Sequence, residues 1–248
     1  MKRLVITSVL FLLFGNILHA IDFESLETVY YPEPTDNSKT YYLNGIPLSA
    51  VYADSSYIMM YLETGKIAGE TYAKLWLLYQ NLSEEPYLLE PLNHVKLTIQ
   101  SKKKTYPGLI PVPPSQILKS IDNQKNALMI LQAIGGALKT ISTELSPETT
   151  IRSNTGEEYQ VDDNTAGDKV ISRTRAEMLG TAYMYETFKK SVNNGILRKN
   201  TIFPNNSVTG NVYFHLGSVS LKDCTKIILY ATTKDGVKVI NFKPTAGE

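Results

Sequence analysis

Histidine and cysteine are scarce in this 248-residue chain, which has three of the first and one of the second. A lone thiol, Cys224, allows no intrachain disulfide, so stability has to come from a hydrophobic core. With 43% apolar residues the chain is long enough to build one. Cys224 precedes the apolar run 227–231 and reads as a small core residue. His19 lies near the amino terminus. His94 and His215 stand in strand-like settings without a second histidine or cysteine at ligand spacing, so no metal site is assigned, and no cofactor is expected. An excess of charge of one sign is lacking too: 25 basic side chains face 24 acidic ones. Bulk charge therefore recruits neither nucleic acid nor an anionic membrane. No Gly-x-Ser-x-Gly elbow, phosphate-cradling loop or dinucleotide fingerprint occurs. The acidic pairs Glu84-Glu85 and Asp162-Asp163 read as solvated loops, because catalytic carboxylates must face one bond from separated positions. No catalytic residue is assigned.

Met1 to Ala20 has the features of a secretory signal peptide: Lys2 and Arg3, an apolar run from Leu4 to Phe14, and Leu18-His19-Ala20 as a small-residue cleavage site. Cleavage near Ala20 would start the mature chain at Ile21 and send it to the periplasm or the medium. No cysteine stands there for acylation, so a soluble product is expected. Beyond the leader, the apolar stretch from Ala127 to Leu138 is about a dozen residues, against roughly 20 for a span. No stable membrane span after cleavage is expected.

Most of the remainder reads as short strands. Leu26 to Tyr31 and Thr40 to Leu43 are tyrosine-rich, with prolines between them that favour a sheet edge. Half-buried strand tyrosines are the plain reading there, and an exposed aromatic surface is the alternative. Tyr57 to Leu62, a turn at Gly65 to Glu70 and the apolar run Tyr72 to Tyr79 form the clearest series, the last as in a central strand. Tyr87 to Leu92 and the alternating Val95, Leu97 and Ile99 follow. After Asn194-Gly195, strands return at Ser207 to Phe214, at Lys226 to Thr232 and, past the Lys234-Asp235-Gly236 turn, at Val237 to Phe242. Lys102-Lys103-Lys104 reads as a solvated loop. Asn81-Leu82-Ser83 and Asn205-Asn206-Ser207 match the glycosylation sequon, which matters only in a eukaryotic secretory pathway.

Two helical segments interrupt the strands. The first opens after Pro113-Pro114-Ser115 and carries apolar residues at Ile117, Ile121, Leu128, Leu131 and Leu138, with a second stripe at Ala127, Ile130, Ile134, Ala137 and Ile141. Between Ala127 and Leu138 only Gln132 is polar, so that half is apolar nearly all round and calls for burial in the protein or against a partner. The second runs from about Asp168, an expected cap, to Asn194. Gly135-Gly136 and Ala176/Gly180 predict close packing of the two into a hairpin. A kink at the glycines is the alternative. Between the helices, Thr149 to Ile151 and Glu158 to Val161 predict a small hairpin around the turn 153–156.

The strands before and after the helices are each too few to close a core. The expected fold is therefore mainly β: an antiparallel β-sandwich of about seven strands, interrupted by an inserted α-helical hairpin at about 115–194, in a single domain 21–248. The passage Ile196-Leu197-Arg198-Lys199-Asn200-Thr201-Ile202-Phe203-Pro204-Asn205-Asn206-Ser207-Val208-Thr209-Gly210-Asn211-Val212-Tyr213-Phe214 resembles the closing segment of uncharacterised exported bacterial proteins with an immunoglobulin-like sandwich and a helical insertion. Leu77-Leu78-Tyr79-Gln80-Asn81, followed by Pro86-Tyr87 and Pro91, is similar to their strand, turn and next strand. The resemblance implies an immunoglobulin-like architecture and no assigned chemistry.

These features favour a non-catalytic exported interaction or assembly module of the bacterial envelope. It would present the helical hairpin or a sheet edge to a protein partner, with no nucleic acid involved. The rival is a hydrolase of an envelope polymer at the hairpin–sandwich junction, which needs His94 or His215 within about 3 Å of a carboxylate or serine in a concave site. A third reading has the apolar helix entering membranes.

Overall fold

The computed structural model describes residues 24–35, 38–144, 149–152, 158–161, 165–219, 221 and 223–244. The expected signal peptide, the turn 153–156 and the Asp162-Asp163 pair lie outside them. Two compact units result: Ile121–Lys189 forms a helical one, and Asp22–Ser120 with Lys190–Glu248 forms a β one.

In the β unit, ten strands make one mainly antiparallel sheet. They are β1 (Glu24–Pro32), β2 (Ser38–Leu43), β3 (Ile46–Tyr52), β4 (Ser56–Ile67), β5 (Glu70–Asn81), β7 (Val95–Ser101), β8 (Thr105–Leu109), β12 (Ser207–His215), β13 (Cys224–Thr233) and β14 (Gly236–Pro244). Two short strands, β6 (Tyr87–Leu89) and β11 (Asn200–Ile202), pair separately. A single helical turn, α1 (Pro91–His94), leads into β7.

The mainly β, antiparallel character holds, but the seven expected strands become ten in one sheet. The pairing gives two arms, β12-β5-β4-β3-β2 and β1-β14-β13-β7-β8. They join through β1, which pairs with β4 up to Tyr30↔Leu62 and with β14 from Tyr30↔Pro244 onward. A register shift between Leu26 and Thr28 accompanies this change of partner, as where strands turn sheet corners. Alternation sets which side is buried: Ile58, Met60 and Leu62 of β4 and Leu75, Leu77 and Tyr79 of β5 turn inward. They share one hydrophobic cluster with Val95, Leu97, Leu229 and Phe242. Strands from before and after the helical unit thus close a common core. Cys224 belongs to it, 8% exposed, with its thiol pKa raised by burial.

Turn chemistry explains part of the miscount. Asn44 and Gly45 both have positive φ, at 51° and 82°, the primed turn that joins β2 to β3. The turn expected over Gly65 to Glu70 is tighter: β4 runs to Ile67, and only Ala68 and Gly69, φ 53° and 78°, reverse the chain. Tyr87 to Leu92 is a strand only to Leu89, because Pro91 starts α1.

The helical unit holds α2 (Pro114–Glu144) from Ile121 on, α3 (Thr165–Gly195) as far as Lys189, and a two-stranded ribbon of β9 (Thr149–Arg152) and β10 (Glu158–Val161). The helices run antiparallel: Asp122, Lys125 and Gln132 of α2 bond Lys189, Glu186 and Thr181 of α3 in reversed order. Gly136 continues that register against Thr174, where an added Cβ would stand 2.5 Å from the threonine methyl. The expected close approach is therefore present at Gly136. At Gly180 it is not, for nothing lies within 4 Å of an added Cβ there. Asp168 falls inside the first turn of α3 rather than at its cap, since the helix begins at Thr165.

Candidate functional site

Three places in the fold concentrate chemistry or unburied apolar surface. In the helical unit, Asp122, Lys125, Gln132 and Gly136 mark the side of α2 that meets α3. At roughly 100° per residue, Ala127, Ile130, Ile134 and Leu138 fall on the opposite side. Ile130 is 60% exposed, Ile134 49%, Leu138 41% and the flanking Leu131 40%. Of the two expected ways of burying this stretch, the described residues of the chain do not supply the first. Leu179 and Tyr183, 72% and 75% exposed, stand one turn apart on the side of α3 away from α2. The ion pairs Lys125–Glu186 and Lys189–Asp122, both 2.6 Å, fix the register of the helices. Being partly exposed, such pairs contribute little stability.

The histidines occupy two separate settings in the β unit. His94 Nδ1 accepts the Glu90 N–H at 3.2 Å, so the proton of a neutral ring sits on Nε2. The Tyr87 hydroxyl lies 3.2 Å from the same nitrogen and donates to Thr232 O at 3.1 Å. His94 therefore closes its own helical turn. His215 Nε2 stands 3.7 Å from Glu70 Oε2, which accepts from Tyr72 Oη at 2.7 Å and from Ser120 Oγ at 3.1 Å. Burial, and then the bond to Glu70, push the Tyr72 pKa up to about 12. Here the carboxylate lies between hydroxyl and imidazole, whereas acyl transfer needs the imidazole between carboxylate and nucleophile. The His215–Glu70 separation is longer than the roughly 3 Å that the hydrolase reading asks for, and no group of three metal-ligating side chains occurs among the described residues.

The third place is a cavity of about 390 Å³ in the β unit, beside the outer edge of β12. Three passages of chain enclose it: the start of α1, the proline-rich stretch Pro111 to Pro114, and Ile196 to Lys199 after α3. Two backbone bonds secure them, Leu197 N–H to Asn211 O and Val112 N–H to Tyr213 O, both 2.8 Å. Gly210 makes the first possible, because a Cβ there would stand 2.9 Å from the Leu197 backbone. Leu197, Val212 and Tyr213 are buried, and Pro91, Pro111 and Pro114 supply rigid apolar walls. At the rim Glu90 is paired with Lys199 and accepts from Asn93 Nδ2 at 2.7 Å, and these contacts hold its pKa below the ordinary carboxylate value.

No family model matches this chain, and no curated protein or solved structure matches it either.

Sequence reasoning assigned no site residue, and the cavity was missed because its walls come from chain positions over a hundred residues apart. One signal was in view: Ile196 to Phe214, the most recognisable passage, supplies one wall and the β12 edge behind it. The other features singled out are structural. Asn81, in a sequon, is fully buried, its Nδ2 donating to Glu85 O and Ile202 O at 2.8 and 2.9 Å. Glu85 pairs with Lys234 at 2.9 Å. Lys104 lies over the Tyr106 ring. Of the early tyrosines, Tyr30 is core, while Tyr41 and Tyr42 on β2 are 41% and 66% exposed.

Proposed function

We propose that this chain is a non-catalytic exported interaction or assembly module of the bacterial envelope, and that the outer side of α2 is the surface it offers to a protein partner. The observation that carries the reading is the row Ile130, Leu131, Ile134 and Leu138, at least 40% exposed each and turned away from α3. Monomeric soluble proteins rarely leave a contiguous apolar patch of more than a few hundred Å² without a use for it. An apolar helix face is a common docking element for a groove or a second helix. Export rests on the leader Met1 to Ala20, which places the product in the periplasm or the medium. The two arms about one core are compatible with an immunoglobulin-like sandwich as the scaffold. No helix among the described residues is long and apolar enough to cross a membrane.

The test is crosslinking in the intact envelope, followed by recovery of the mature protein, for the natural chain and for Ile130→Asp/Ile134→Asp. Both sites are exposed, so folding stability should change by no more than about 0.5 kcal/mol per substitution. A discrete complex formed by the natural chain and lost in the variant supports the reading. The same complex in both, or the lone chain in both, refutes it. Leakage of liposomes by the natural chain alone would move the assignment to membranes.

A further inference from the structure

Independent of the hairpin, the cavity beside β12 carries a ligand-binding inference of its own. At about 390 Å³ it lies at the small end of ligand pockets, which run from roughly 300 to 1,000 Å³. Its shape is set in advance. Three proline rings have fixed backbone angles and no N–H to satisfy, and the Leu197 backbone is pinned to β12 through Gly210. A site that need not reorganise loses less affinity on binding.

The charges at the rim are not balanced. Glu90 is neutralised by Lys199, and its second oxygen is held by Asn93. Arg198 also lines the cavity, yet its guanidinium donates only to the neutral side chain of Asn193, and no carboxylate pairs with it among the described residues. One cation with a planar fork of donors therefore borders an apolar chamber. A carboxylate matches that fork with two oxygens and one charge, whereas a phosphate would bring more charge and more acceptors than one guanidinium can meet.

We propose that the cavity binds a small monocarboxylate with an apolar body, the body against the proline walls and the carboxylate on Arg198. Such a group can belong to a free acid or to the carboxyl terminus of a peptide ending in an apolar residue.

The test uses the full mature chain and backbone amide NMR. Its probes are 3-phenylpropanoate, the neutral 3-phenylpropan-1-ol, and a tetrapeptide ending in phenylalanine with a free or an amidated terminus. Binding of the acid should saturate, shift the amides of Val112, Leu197 and Val212, and be about tenfold tighter than the alcohol, the usual weight of one charge-assisted contact. Arg198→Gln should bring the acid down to the alcohol's affinity, and Arg198→Lys should keep part of the difference. Both replace an exposed side chain, so the fold should survive. If the free tetrapeptide binds more tightly than the propanoate and its amide does not, the source is a peptide terminus; the opposite order assigns a free acid. Equal affinity of acid and alcohol, undiminished binding by Arg198→Gln, shifts confined to other surfaces, or no saturation of either acid by about 10 mM would each overturn the proposal.

Discussion

The β unit and the helical unit solve the same problem differently. In the β unit, alternation along β4, β5, β7 and β13 sends one side of every strand into a shared interior, so large side chains such as Leu97 and Leu229 are fully buried. In the helical unit, α3 meets α2 along Asp122, Lys125, Gln132 and Gly136, and the apolar row Ile130, Ile134 and Leu138 stands on the other side. Residues of the same type therefore end in opposite surroundings: Ile227 fully buried in β13, Ile130 60% exposed in α2. Apolar content alone does not set burial. The number of neighbours that the topology can bring to a face does, and a two-helix arrangement brings one where a ten-stranded sheet brings several.

The largest expected effect separates the units by their interiors. Leu229→Ala should cost about 2–5 kcal/mol in urea denaturation, the range for truncating a core leucine, and Ile130→Ala within about 0.5 kcal/mol. A loss of 2 kcal/mol or more in the second would show that α2 is covered after all. Next comes alkali. Tyr72 and Tyr87 have pKa values raised to about 12, in each case by burial first. An unfolded tyrosine ionises near 10, so their contribution is intact below about pH 10 and disappears as pH rises through about 12, by roughly 3 kcal/mol per ring at most. Stability followed against pH should fall across that window, and less steeply in Tyr72→Phe. A third substitution, Gly210→Val, should cost about 1–3 kcal/mol by forcing Leu197 from the β12 edge, and a neutral outcome would mean that the cavity wall is loose. The smallest pair sharpens the helical unit itself. Gly136→Ala should destabilise by about 1 kcal/mol against Thr174, whereas Gly180→Ala should stabilise by up to about 1 kcal/mol because alanine is the better helix former. Equal signs for the two would contradict the one-sided packing.

The strands most legible in the sequence were those whose own pattern suffices: β4, β5, β7, β12, β13 and β14 follow from alternation or apolar runs that local turns delimit. Less visible was β3, although Asn44-Gly45 is the dipeptide that a primed turn prefers, and Ile46 to Val51 is apolar enough to follow it. Ala68-Gly69 could not have been read so, because alanine carries no preference for positive φ. The two helices were plain from periodicity, and their close approach at Gly136 from composition. Which of Gly136 and Gly180 touches its neighbour depends on the register between helices, and one helix holds no record of that. The cavity is the extreme case: Pro91, Val112, Leu197 and Tyr213 meet only because β12 places them together, and that Arg198 meets no carboxylate among the described residues is something no local pattern displays.

Tyr30 exchanges β4 for β14 within one residue, and β14 ends at Pro244. The joint between the arms therefore couples chain positions more than two hundred residues apart, Tyr30 and Pro244. Contacts of such long sequence separation make closure late and slow. A polypeptide built this way stays unlocked until the segment around Pro244 has left the ribosome.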